Sequence, residues 1–243
     1  MSFAKLFKEI YTPVLDSMGF KVKRNIYHKL VNDKVILLLS FIKYGQNFTI
    51  QFDFWPLCYG HDIEVFMDSI YSLQTIYPEL DDWPCDVEKC EAHLFDSLEY
   101  CKKSVFKYFE KITDYQSCFE CRSELDRLEE CMKKNLYEIP NLCLQSYHFL
   151  FLALGKYDLA LKAKEANIRQ NKRAMDSYAR NRGIDICEYP YYEEIMEKVK
   201  YYNKIKTFIE NNDFDSINKI IIQNEQHSKE SYEKNFLGKK YSQ

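Results

Sequence analysis

Between residues 3 and 18 the apolar positions Phe3, Leu6, Phe7, Ile10, Val14, Leu15 and Met18 recur at steps of three and four. That spacing predicts a helix with one buried face. Pro13 interrupts its last turn, and Gly19 is placed to end it as a left-handed cap. The pattern then changes period. Val22, Ile26 and Leu30 fall on one face at strand spacing, with Arg24 and His28 between them, while Lys21, Lys23, Asn25, Tyr27 and Lys29 fall on the other. Asn32-Asp33 supplies a turn. "KVILLLSFIK" (34 to 43) is apolar on both faces and reads as a central strand. "NFTIQFDFW" (47 to 55) alternates, with Phe48, Ile50, Phe52 and Phe54 inward and Asn47, Thr49, Gln51 and Asp53 outward. Short connections make these an antiparallel meander. The expected pairing sets residues 20 to 31 against 34 to 43, with Val22, Ile26 and Leu30 facing the first helix.

Residues 56 to 80 fit a strand or a short helix, and "PELDDWP" reads as a loop. A helix follows over about 87 to 112, with Leu94, Leu98, Cys101, Val105, Phe106 and Phe109 inward. Beyond Thr113 the pattern is helical throughout, near 117 to 136, 141 to 154, 157 to 180, 190 to 210, 214 to 223 and 228 to 235. Pro140 and Pro190 suit helix starts. Residues 225 to 243 are polar and are expected to fray. The fold class expected is α+β. A small antiparallel sheet of three or four strands packed by helices occupies residues 1–112, and a helical-hairpin region with a polar tail occupies 113–243.

Two stretches echo each other. "GKYDLALK" (155 to 162) and "NDFDSINK" (212 to 219) each place an aromatic, an Asp and an inward aliphatic after a small turn residue. They resemble the corner of a tetratricopeptide-type hairpin. Gly155, Tyr157 and Ala160 match that family's turn and second helix, whereas the first helix lacks its Trp and Leu-Gly pair. The spacing of the corners exceeds that family's roughly 34-residue period, which implies stacked hairpins rather than a repeat array. The first half resembles a bacterial family catalogued as domain of unknown function 4304. The likeness rests on "FKEIYTPVLDSMGFKVKRNIYHKL", "ILLLSFIKYGQNFTIQF", "ELDDWP" and "VFKYFEKI", within residues 3 to 112. It implies an α+β domain and no catalytic residues.

Composition narrows the function classes. Six Gly and six Pro in 243 residues favour helices over a many-stranded barrel. A net charge of -3 is not that of a dedicated nucleic-acid binder. No run is long and apolar enough for a membrane span, and the charged start has no signal core, so a cytosolic protein is expected. Nine cysteines at irregular spacing then read as reduced core thiols.

Several constellations are candidates for chemistry. "CFEC" (118 to 121) has redox or zinc spacing, and Cys85 with Cys90 is the nearest second pair to Cys118 and Cys121. The five histidines lack ligand spacing, and no phosphate loop, GxSxG elbow or kinase signature is present. Residues 162 to 182 carry seven basic side chains, Arg169, Lys172 and Arg173 central among them, against Glu165 and Asp176. This pattern suits either a phosphate-binding stripe or a solvated helix face. Arg24, Tyr27 and His28, with Trp55 and Trp83, are the candidates for a shallow aromatic and basic groove. The leading expectation is a non-catalytic bacterial adapter that binds a protein partner, in an immunity- or antitoxin-like role, with no cofactor and no membrane. The alternatives are nucleic-acid binding by the 162 to 182 helix and an enzyme of unknown class.

Overall fold

A computed structural model describes residues 2–60, 71–84, 89–128 and 141–238. Its contacts divide the chain into two compact units, and the division falls within one helix near residue 225. Unit 1 holds the sheet, the residues up to 128 apart from 58–60, and the returning segment 226–238. Unit 2 holds 58–60 and 141–225. The boundary expected after Ile112 is therefore not where contacts separate, since the next helix and the last described residues group with the sheet.

Unit 1 opens with α1 (Phe3–Ser17), which buries Phe7, Ile10, Tyr11 and Leu15. Gly19 (φ 80°) ends it: its N–H bonds Asp16 O and that of Phe20 bonds Leu15 O, the paired closure a left-handed cap permits. β1 (Lys21–Lys23) and β2 (Ile26–Val31) follow as a hairpin. Its turn is Arg24-Asn25, with Arg24 exposed at φ 56°. The second turn, Asn32 to Lys34 between the paired Val31 and Val35, places Asn32 and Asp33 at φ 48° and 52°. It leads into β3 (Val35–Tyr44), which pairs along its whole length with β4 (Asn47–Pro56). β5 (Tyr71–Ser72) pairs with the middle of β4 and β6 (Trp83–Pro84) with its first residues, and α2 (Leu73–Ile76) follows β5. The order is β1-β2-β3-β4-β5, with β6 also on β4, and all pairings are antiparallel. This is the expected α+β class, with more strands than the meander alone.

Both faces of the sheet are covered, which is why β3 is apolar on both. One face carries Tyr27, Phe41, Phe48, Phe52 and Phe54. They meet Phe3, Phe7 and the aromatics of α4 (Val105–Lys111). The expected helix over 87 to 112 is two helices within the described residues. α3 (Cys90–Lys103) and α4 meet at Ser104, whose φ −135° and ψ −69° break the helical path. The other face carries Ile26, Ile36, Leu38 and Leu57. It is closed by Tyr232 and Phe236, with Leu30 and Trp55 packed alongside.

Three expectations are corrected. The hairpin break at Arg24-Asn25 leaves Val22 exposed and turns Tyr27, not Ile26, toward α1. Tyr27 is fully buried, and its hydroxyl meets Thr12 Oγ1 at 2.7 Å. Lys29 is not a solvated face residue either. Its ammonium donates to Met18 O at 2.8 Å and lies over the Phe20 ring, so it satisfies an orphan carbonyl at the end of α1. The tail does not fray as far as Gly238. Ser228, Tyr232 and Phe236 are buried, and the chain ends its helix in a π-turn over Glu233–Leu237.

In unit 2, α6 (Asn141–Ala153) packs on α7 (Tyr157–Arg182), and α7 packs on α8 (Tyr192–Glu210). α9 (Phe214–Tyr232) then begins. The last helix of unit 1 in chain order before this region is α5 (Tyr115–Leu128). The two echoed stretches are the α6–α7 and α8–α9 corners. Gly155 and Asn212 are both left-handed, at φ 67° and 55°. The N–H groups of Gly155 and Lys156 bond Leu152 O and Phe151 O. Those of Asn212 and Asp213 bond Ile209 O and Phe208 O. The same two-bond closure recurs at matching positions, and the residues that follow, Tyr157 and Phe214, stack face to face at 4.8 Å and 5°. The corners are therefore structurally equivalent and touch.

Candidate functional site

The structure does not gather the groove proposed for the first strand. Tyr27 lies in the core beneath α1, Arg24 sits at an exposed turn, and Trp83 is buried against Phe48, stacked at 5.7 Å. Trp55 is on the opposite sheet face. His28 is buried at 1% exposure, where Nδ1 meets the Tyr232 hydroxyl at 2.9 Å and its ring packs on Phe236. It is a core residue that ties the returning segment to the sheet.

The cysteine set is also dispersed. Cys85 lies outside the described residues. Cys90 is buried on α3, whereas Cys118 and Cys121 are buried on α5. Burial raises both α5 thiols, that of Cys121 to about 11, which opposes the thiolate that metal binding or redox exchange needs. Among the described residues no group of three or more His, Cys, Asp or Glu is placed to hold a metal ion.

A buried charged network that sequence reasoning missed lies beside them. β5 covers the outer edge of β4 only at Gln51 and Phe52. Beyond its end, Arg122 of α5 donates from Nη1 to Phe54 O at 2.9 Å and to Asp53 Oδ1 at 3.0 Å. The Phe54 N–H also donates to that carboxylate. Arg122 is 1% exposed and lies over the Tyr71 ring, whose hydroxyl donates to Asp126 Oδ1. Burial lifts the Asp53 carboxyl to about 6, with the guanidinium and the Phe54 N–H pulling the other way. The guanidinium thus caps an open strand edge and holds the fold.

On α7 the basic run separates by face. Lys162, Arg169, Lys172, Arg173 and Arg180 are exposed, but Lys164 is buried. Glu165 and Asp176 share the exposed face, and Arg169 pairs with Glu165 at 3.0 Å. The stripe is therefore broken by acids.

At the far end of α7 a cluster of rings reaches the surface. Gly183 (φ 62°) ends the helix, and a short 3-10 turn over Ile186–Glu188 leads to α8. Tyr178 meets Tyr189 edge-on at 5.1 Å, and Tyr189 meets Tyr191 at 5.8 Å. Arg182 lies 5.0 Å over Tyr178. Tyr191 is 60% exposed and Ile186 36% exposed. A shallow depression lined by Ala179, Arg180, Ile184 and Ile186 adjoins them. The signal in the sequence was the tyrosine density of "CEYPYYEE", which helix periodicity alone does not mark.

Histidine burial has a pH consequence. Burial, with Lys21 and Lys23 adding to it, lowers His28 to about 4; burial, with Lys164 adding, lowers His148 to about 3. Unfolded histidines near 6.5 take up protons that these two refuse, so the folded state loses stability as pH falls below about 6.5 toward 4. Asp53, raised to about 6, opposes this over the lower part of that range because the folded state protonates it first. Urea midpoints measured at pH 7 and pH 4.5 are expected to fall at the lower pH. Replacing His28 with Gln should make the fall shallower.

No helix among the described residues is long and apolar enough to cross a membrane. In comparison with known proteins, no family, no curated protein and no solved structure matches this chain.

Proposed function

We propose that this protein is a non-catalytic, cytosolic adapter that binds another protein through the Tyr178, Ile186, Tyr189 and Tyr191 corner of unit 2. The observation that carries this reading is the chain of edge-to-face tyrosines that starts at Tyr178, under Arg182, and ends in the 60% exposed Tyr191. Tyr and Arg are the side chains that most often anchor protein interfaces, because they bury large area at small entropic cost. The neighbouring charges favour a protein over a nucleic acid. Asp185, Glu188, Glu193 and Glu194 are exposed and lie within a few positions of Tyr189 and Tyr191 in the chain, and their carboxylates repel a phosphate backbone.

The test is affinity capture from the native host with the wild-type protein, a Tyr189→Ala/Tyr191→Ala double variant and a Tyr44→Ala control. Tyr44 is also exposed, at 51%, but lies in unit 1. A partner held in stoichiometric amount by wild type and control, and reduced at least about tenfold by the double variant, is the expected result. Equal capture by all three, or no partner at all, overturns the reading. Nucleic-acid binding is the second reading, supported by the exposed Arg169, Lys172 and Arg173. It requires a low-salt gel shift that is lost when these three become Glu.

A further inference from the structure

Three helices of unit 2 each turn one polar side chain into the same interior spot. His148 comes from α6, Lys164 from α7 and Tyr201 from α8. His148 is fully buried and Lys164 is 3% exposed, while Tyr201 is the outermost, being only partly buried. The His148 and Tyr201 rings meet edge-on at 5.7 Å, and the Lys164 ammonium lies 5.1 Å over the Tyr201 ring. Side chains on a helix lean toward its N-terminus, so Lys164 reaches back over the turn of Ala160, the residue whose carbonyl holds His148.

The hydrogen bonds fix what each group offers. Ala160 O can only accept, so His148 Nδ1, at 2.8 Å, carries the proton. Nε2 is then a bare acceptor. It has no partner among the described residues, and neither has the Tyr201 hydroxyl. Lys164 makes no ion pair among the described residues, whereas its neighbour Lys198 is paired with Glu194 at 2.6 Å. Buried polar groups in native proteins are nearly always satisfied, so two buried atoms without a hydrogen-bond partner beside an ammonium without an ion-pair partner, all among the described residues, mark a place where something else binds. The spot presents an ammonium, a hydroxyl donor and one acceptor nitrogen. A bare carboxylate or halide would satisfy the two donors and leave Nε2 idle. An oxyanion that also carries a hydrogen satisfies all three.

The geometry points to a small-ligand site between α6, α7 and α8 that takes a hydrogen-bearing oxyanion, of the hydrogencarbonate or dihydrogen phosphate type. Its charged oxygens sit on Lys164 and Tyr201, and its O–H is donated to His148 Nε2. The Lys164 ammonium, held down to about 8 by burial and Lys198, gains its missing counter-charge in this arrangement.

The test is thermal melting of the full chain at pH 7.5 in sodium hydrogencarbonate, phosphate, acetate or chloride at matched ionic strength. Hydrogencarbonate or phosphate is expected to raise the melting temperature by about 3 °C over chloride, and acetate much less. Lys164→Met should abolish the rise without lowering the anion-free melting temperature. Tyr201→Phe, which removes one oxygen only, should raise the apparent Kd about tenfold. If Lys164→Met fails to fold, the Tyr201→Phe comparison still decides. The proposal falls if all four salts behave alike, which leaves water as the occupant, if acetate matches the hydrogen-bearing anions, or if the two variants respond as wild type does.

Discussion

Arg122→Met is expected to lower the stability of unit 1 by about 3–5 kcal/mol, the cost of leaving a buried charge without its partner. The guanidinium is the group that compensates Asp53 and reaches Phe54 O at the uncovered edge of β4. Without it, Asp53 is a carboxylate at 3% exposure with only the Phe54 N–H to hold it. It will take up a proton instead. That shifts its folded pKa further above the unfolded value, so the loss grows as pH rises and is larger at pH 8 than at pH 5. An Asp53→Leu/Arg122→Met double variant removes both charges and should recover most of the loss. Urea denaturation of the three proteins at both pH values checks this. A single variant within about 0.5 kcal/mol of wild type would show the pair to be immaterial.

β4 alternates so cleanly that its spacing alone puts Asp53 outward. Its neighbour β3, however, is apolar on both faces, which requires cover on both. Asp53 pairs with Leu38, so it shares the covered face. That inference was open in the sequence. The identity of the partner was not, because Arg122 sits in a helix whose polar residues look ordinary. The meander itself was legible, since period-two spacing and the Asn32-Asp33 turn are local signals. The facing of its first strand was not: one unforeseen turn at Arg24-Asn25 inverts every side chain after it. The His148, Lys164 and Tyr201 cluster was legible only in part. The 162 to 182 run marks Lys164 as basic but not as buried, and its convergence with His148 and Tyr201 depends on how α6, α7 and α8 pack.

Tyr232→Ala is expected to cost about 4 kcal/mol, near the upper range for deleting a large buried aromatic. Two losses combine. The ring is 3% exposed and fills the sheet face with Phe236, and its hydroxyl is the partner of His28 Nδ1. Tyr232→Phe keeps the ring and removes only the hydrogen bond, so about 1 kcal/mol is expected. Calorimetric melts of the two variants separate these contributions. Equal effects would mean that the hydroxyl, not the packing, holds the segment.

The same contact has a consequence for how the chain is made. His28 and Tyr232 are 204 positions apart, so the sheet face built from Ile26, Ile36 and Leu38 is synthesised long before its cover. Until translation has passed Phe236, the nascent sheet presents apolar surface to solvent, which is the condition under which growing chains stick to one another or recruit a chaperone. Unit 2 must be threaded out in the meantime. Its helices, whose α6–α7 contacts are near in sequence, can form while the sheet is still waiting. The earliest strands can thus be sealed only after the later helices have emerged.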